Sequence, residues 1–136
     1  MLESSSGMHA SFSFVPHLVP ITRGIYTTIH ANLAAEVTEA NLFALFDRAY
    51  AASPFVRIKQ SIPQIKDVAF TNYCDVAFVL DLKAGSITIV SVIDNLVKGA
   101  AGQAIQNMNV RFGLPETSGL FHTPFTHHTE KEIIYV

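Results

Sequence analysis

The stretch DVAFVLDLKAGSITIVSVID, residues 75–94, holds two runs of β-branched and apolar side chains joined at Lys83-Ala84-Gly85. The joint is short and carries a glycine free to take positive φ, so the two runs read as one antiparallel hairpin. Both runs are apolar on both faces instead of alternating with polar residues. Strands of that kind belong at the centre of a sheet, covered above and below. The rest of the chain must then supply their neighbours and their cover.

Upstream, RGIYTTIHANL (residues 23–33) alternates cleanly. Ile25, Thr27, Ile29, Ala31 and Leu33 fall on one face, and Tyr26, Thr28, His30 and Asn32 on the other, the pattern of a half-buried strand. SFSFVPHLVP (11–20) is rich in aromatic and β-branched residues but carries Pro16 and Pro20, which predicts an interrupted or edge strand. In VTEANLFALFDRAYAASP, Thr38 is a good N-cap and Glu39 suits the positive end of the helix dipole. Leu42, Phe43, Phe46, Ala49 and Tyr50 form one apolar stripe, and Ser53-Pro54 stops the helix. FVRIK (55–59) predicts a short strand and QSIPQIKDVAFTNYC (60–74) mostly loop.

Downstream of the hairpin, a second helix is expected from about Asn95 to Phe112, ending at Gly113 with Pro115 beyond. The tail 114–136 carries three histidines and then EIIYV, a candidate last strand. The order β-β-α-β-β-β-α predicts an α+β fold: a mixed, mostly antiparallel sheet with helices packed on one face.

Composition narrows the partners. In 136 residues the apolar share is 49% and the charged share only 15%, against about 25% charged in ordinary domains. Either the sheet is covered on both faces, or part of the surface meets another domain or subunit. A net charge of −2 gives no reason to expect nucleic acid or an anionic membrane. No apolar run reaches the ~18 residues of a membrane span. The single cysteine, Cys74, excludes an internal disulfide and a cysteine zinc cluster and suits a reducing compartment. Residues 1–10 open with MLESSSGM, which lacks the basic and apolar regions of a signal peptide and reads as a cloning remnant or disordered lead.

The helix after the hairpin, within IDNLVKGAAGQAIQNMN (93–109), is the most unusual stretch. Asp94 or Asn95 would cap it, leaving N–H groups that favour an anion. Lys98 sits in the first turn, against the dipole, as if to answer an external anion or a partner's carboxylate. Gly99, Ala100, Ala101 and Gly102 remove bulk, so a backbone or a planar ligand could approach; tight packing on the sheet explains the same residues, and composition favours it. Arg23 is equally suited to hold a phosphate or carboxylate bidentately and to make a rim salt bridge. Cys74 stands beside Asp75, the wrong sign for a thiolate, and reads as a structural thiol. His17, His30, His122, His127 and His128 show neither H-x-x-x-H nor H-E-x-x-H spacing, so no metal site is expected. No Gly-rich dinucleotide loop, Walker loop or Ser-His-Asp pattern is present.

Three stretches together carry a resemblance. FVPHLVPITRGIYTTI (14–29), YCDVAFVLDLKAGSITIVSVIDNLVKGAAGQAIQNMN (73–109) and FGLPETSGL (112–120) resemble the C-terminal domain of N-acetyl-gamma-glutamyl-phosphate reductases, relatives of aspartate-semialdehyde dehydrogenases. The resemblance covers residues 11–120 and implies a glyceraldehyde-3-phosphate dehydrogenase-like C-terminal domain for substrate binding and oligomerisation. Residues 121–136 then form a C-terminal extension. It implies the NADPH-dependent reduction of N-acetyl-glutamyl 5-phosphate to N-acetyl-glutamate 5-semialdehyde and phosphate, in arginine biosynthesis. It also implies NADP bound mainly by an N-terminal Rossmann domain of the same protein, and homo-oligomers joined through the sheet face. Asn95 is the implied contact at the nicotinamide, with Gly99 and Gln103 on the following turns; Arg23 and His17 are implied substrate contacts. The cytoplasm is the implied location, or an organelle in a eukaryote. The family's Gly-rich loop, its nucleophilic Cys in a Ser-Cys-Tyr-Pro type motif and the His of its His-Arg-His-x-Pro-Glu motif have no counterpart here, and Cys74 lies in the NYCDV strand. No catalytic residue is therefore expected in this chain, and alone it should be inactive. The alternative is a stand-alone dimerisation or binding module without catalysis.

Overall fold

The computed structural model of the chain describes residues 12–121. The N-terminal lead, His122, His127, His128 and the strand expected at EIIYV lie outside the described residues. The hairpin forms as its sequence predicts: β3 (Cys74–Asp81) and β4 (Ser86–Ile93) pair antiparallel from Cys74–Ile93 to Asp81–Ser86. Its turn is closed by Asp81, whose Oδ1 accepts from Lys83 N–H at 3.0 Å and Ala84 N–H at 2.9 Å, with Gly85 at φ +62. β1 (Ile25–Asn32) pairs antiparallel with β4, and the short β2 (Val56–Ile58) pairs parallel with β3. The four strands run in the order β1-β4-β3-β2, so the doubly apolar strands are the two central ones.

Helix α1 (Glu39–Tyr50) is capped by Thr38, whose Oγ1 accepts from Asn41 N–H at 3.2 Å. Its stripe lies on β3 and β4: Leu42 clusters with Phe78 and Ile87, joined by Phe43, Phe46, Leu80 and Ile89. The Phe78 ring centroid is 4.6 Å from that of Phe43 and 5.2 Å from that of Phe46. Strand alternation places Phe78, Leu80, Ile87, Ile89, Ile93 and Ile25 on this same face. Gly99, in the last helical segment, also approaches Ile25 and Ile93, so the helices share one face. At one end of the opposite face, Val68 clusters with Val90 and Val92 beside Ile65 and Tyr73. The segment 60–73 is mostly loop, as expected, yet it buries Pro63, Val68, Thr71 and Asn72.

Three expectations need correction. Residues 12–24 join no ladder. Pro16 and Pro20 lack the N–H a ladder needs, and Leu18 is fully exposed. β1 is not half-buried, because every residue in it is exposed. It is the edge strand, and the α1 stripe reaches β3 and β4 but not Ile29. The second helix does not start as an α-helix. Val97–Ala101 form a π-turn, with Gly99 N–H donating to Asp94 O and Ala101 N–H to Leu96 O. The regular helix α2 spans Gly102–Arg111, and its stop at Gly113 (φ +69) is as predicted.

Phe78 fills the space under α1 and is 6% exposed. Phe78→Ala is expected to destabilise the chain by about 3–5 kcal/mol, read as a shift of the urea unfolding midpoint at unchanged slope.

Candidate functional site

Four parts of the chain meet where β4 ends, and one carboxylate joins them. Asp94 has no exposed surface. Its Oδ1 accepts from Leu96 N–H at 2.8 Å and Val97 N–H at 2.9 Å, and its Oδ2 accepts from Phe70 N–H at 2.7 Å. Arg23 Nη1 donates to both oxygens at 3.2 and 3.1 Å, while its guanidinium lies 4.3 Å from the centre of the Phe70 ring. Asp94 is therefore the cap. The expected external anion at this helix start is replaced by the chain's own carboxylate, which takes the first free N–H groups. Burial opposes ionisation of Asp94, but the N–H donors of Phe70, Val97 and Leu96 and the Arg23 guanidinium outweigh it and hold the pKa below its ordinary value.

Asn95 follows, half-buried. Its Oδ1 accepts from Gly24 N–H at 2.8 Å, and among the described residues its Nδ2 has no hydrogen-bond partner. Gly24 itself is held at φ +105, and a Cβ there would lie 2.3 Å from Ile65 Cγ2. The two glycines of the next turn differ. A Cβ on Gly102 would lie 2.3 Å from Asn72 Oδ1 and 2.8 Å from Val97 O, so packing within the domain requires that glycine. A Cβ on Gly99 would meet nothing nearer than Asp94 O at 3.4 Å, so the domain has room for a side chain there. Gly99 is exposed, and among the described residues nothing occupies the place of a side chain there. Gln103 is partly exposed and donates from Nε2 to Asn107 Oδ1 at 2.8 Å.

Arg23 joins the helix start through Asp94, so the rim salt bridge describes its Nη1. His17 stands elsewhere: its Nδ1 lies 3.1 Å from Val15 O, and it lines a groove of about 520 Å³ between residues 13–17 and 25–28. Lys98 does not face outward as expected. Its Nζ donates to Gln106 Oε1 at 2.6 Å and lies 5.5 Å from the centre of the Phe55 ring. Burial lowers the Lys98 pKa, against the charges of Cys74 and Glu116. Cys74 Sγ is 3.3 Å from Ser91 Oγ. A second buried pair went unread in the sequence. Arg57 holds Asp75 through Nε and through Nη2 at 2.9 Å and stacks on Tyr73, tying β2 to β3. Its only signal was one arginine inside a three-residue strand. Among the described residues, no group of three or more His, Cys, Asp or Glu is placed to hold a metal, and no helix is long and apolar enough to cross a membrane.

Because the Asp94 pKa is lowered on folding, its contribution is complete above the unfolded value and is lost as pH falls through the folded one. Asp94→Asn is expected to cost about 3 kcal/mol at neutral pH, where it leaves Arg23 unpaired. The gap between variant and wild type should close below about pH 4 in denaturant titrations across pH.

The family model described as "Semialdehyde dehydrogenase, dimerisation domain" matches residues 1–95. The N-acetyl-gamma-glutamyl-phosphate reductase of Brevibacillus brevis is 48% identical over 121 residues, which are 88% of this chain and 35% of that protein. The enzyme of the same name from Symbiobacterium thermophilum is 50% identical over 123 residues, again 35% of its length. The crystal structure of aspartate semialdehyde dehydrogenase II from Vibrio cholerae covers 68% of this chain and 29% of its own, with a TM-score of 0.54 at 22% identity, which shows a shared fold. The chain spans about a third of the length of the curated relatives it matches. By the match of the family model over most of its length, and by the four-stranded mixed sheet just described, the chain belongs to the semialdehyde dehydrogenase dimerisation-domain family.

Proposed function

We propose that residues 11–120 are the substrate and oligomerisation domain of an NADP-dependent reductase. The reaction converts N-acetyl-glutamyl 5-phosphate to N-acetyl-glutamate 5-semialdehyde and phosphate, in arginine biosynthesis in the cytoplasm, with residues 121–136 a C-terminal extension. The observation that carries this is the bare, exposed Gly99 beside the unused Nδ2 of Asn95, in a chain 48% identical to a reductase of that name. A carboxamide oxygen suits the Asn95 donors, and a flat ring suits a backbone without a side chain. The nicotinamide supplies a hydride when bound; Asn95, Gly99 and Gln103 orient it and exclude water from one side. Arg23, whose side chain is 30% exposed, and His17 are assigned to the anionic substrate. The nucleophile and the dinucleotide fold come from an N-terminal Rossmann domain, so this chain contributes no catalytic residue.

The surface supports both partners. On α2 the buried residues are Gly102, Gln106 and Asn109, while Ile105, Met108 and Val110 are exposed. Leu96, Phe112 and Leu114, before and after α2, are exposed as well, and we assign these apolar side chains to the N-terminal domain. The face of β1 carrying Tyr26, Thr28 and His30 continues through Thr88 to Val79, which is 52% exposed, and lies opposite the helices. We assign it to a second copy of the chain.

Mixing the chain with the N-terminal domain in trans should produce phosphate-dependent oxidation of N-acetyl-glutamate semialdehyde; no activity would favour the non-catalytic module. In the active pair, Asn95→Asp keeps an acceptor for Gly24 N–H and removes the outward donor. It should raise KM for NADP by about tenfold at unchanged stability, the size of one lost hydrogen bond. For the sheet face, Val79→Asp should shift wild-type dimers to monomers in sedimentation. A wild type that is monomeric at micromolar concentration would sink that assignment.

A further inference from the structure

We propose that Lys98 is a positioning residue: it locks the π-turn to the domain and so sets where Asn95 and Gly99 stand. The proposal deepens the cofactor assignment above and rests on it.

The residues of the last helical segment buried against the domain are Gly102, Gln106 and Asn109, with Val97, Lys98 and Gln103 half-buried. Val97 is the one apolar side chain among them, so this segment is held largely by hydrogen bonds. Gln106 is the centre. Its Oε1 accepts from Lys98 Nζ at 2.6 Å and from Asn72 Nδ2 at 2.9 Å, and its Nε2 donates to Glu116 Oε1 at 2.6 Å. Asn109 Nδ2 donates to Glu116 O at 3.2 Å and Ser118 O at 2.9 Å. Asn72 lies flat against Gly102, its Oδ1 buried without a partner. Lys98 is the one member of this network that lies in the π-turn; the others belong to α2 and to the loops on either side.

That placement gives Lys98 its role. A π-turn holds one residue more per turn than an α-helix and is rare unless something retains it. If it relaxed by one residue, the segment between the end of β4 and α2 would rotate by about 100° about the helix axis relative to α2. Asn95 and Gly99 would then face elsewhere, although the sheet and α2 need not change. Hydrogen bonds of this kind are directional, and two of them, from Lys98 and to Glu116, are charge-assisted, so they define a position and not merely a depth of burial. Lys98 therefore acts through the turn and touches no ligand.

The test uses the full-length reductase with Lys98→Met, which keeps the stem over Phe55 and removes the ammonium, and Lys98→Arg, which restores a charged donor. In hydrogen exchange without ligand, Lys98→Met should speed exchange of the amides of residues 97–101 by tenfold or more, leave α1 unchanged, and be largely reversed in Lys98→Arg. In kinetics, Lys98→Met should raise KM for the dinucleotide about tenfold with kcat nearly unchanged. Unaltered exchange in Lys98→Met overturns the proposal whatever the protein reduces. Faster exchange with an unaltered KM in an active enzyme overturns the link to the cofactor. If the wild type reduces no acyl phosphate, the functional assignment fails, and exchange at residues 97–101 still decides whether Lys98 locks the turn.

Discussion

The burial of the Asp94 carboxylate is the constraint on which the site depends. An ionised group without exposed surface is tolerable only when donors surround it. Here the donors come from Arg23 before β1, from Phe70 in the loop before β3 and from Leu96 and Val97 after β4. Segments as far as 71 residues apart are thus brought to one point by one side chain. The same residue shapes the turn that follows. Its side chain takes the amides of Leu96 and Val97, and its carbonyl reaches Gly99, five positions on. A chain so wrapped around its own cap turns more widely than an α-helix.

Beyond that point α2 buries polar side chains and leaves several apolar ones exposed. α2 buries Gln106 and Asn109 and exposes Met108 and Val110. β1 is exposed on both faces. The low charge of the chain allowed two explanations, a sheet covered on both sides or a surface meant for other protein. Among the described residues β1 is exposed and the helices occupy a single face, the arrangement the second would require. Ordinary amphipathic logic, which assigns the apolar stripe of a helix to its own core, holds for α1 and fails for α2.

This explains what was legible in the sequence. The β3–β4 hairpin, α1 with its Thr38 cap and the stop at Gly113 follow from patterns within one element, and those patterns were sufficient. The alternation in β1 was also read correctly as a strand, but alternation says only that a strand has two faces, and cover is supplied by other elements. Phe12, Phe14 and Val15 look like strand residues, and two prolines nearby removed the ladder. The inward turn of Lys98 was illegible for a different reason. Its acceptor, Gln106, lies two turns along the same helix, but what draws both inside is Asn72 on one side and Glu116 on the other. A reading that turns the lysine of a first turn toward an external anion cannot find one whose acceptor is drawn inward by residues distant in sequence.

The two glycines of the helix start show how far packing alone accounts for this motif. Gly102 is fixed by the atoms of this chain, because Asn72 Oδ1 and Val97 O already occupy the place of a side chain. Gly99, three residues earlier in the same small-residue run, meets no such obstacle. Tight packing, the explanation composition favours for the whole run, therefore holds for Gly102, against the loop residue Asn72 and the turn residue Val97, while Gly99, which lies against Ile25 and Ile93 of the sheet, has room for a side chain among the described residues. Gly99 stands one turn from Asn95, whose carbonyl oxygen is anchored by Gly24 N–H, and the approach of a ligand from outside is the cause assigned to it under the proposed function.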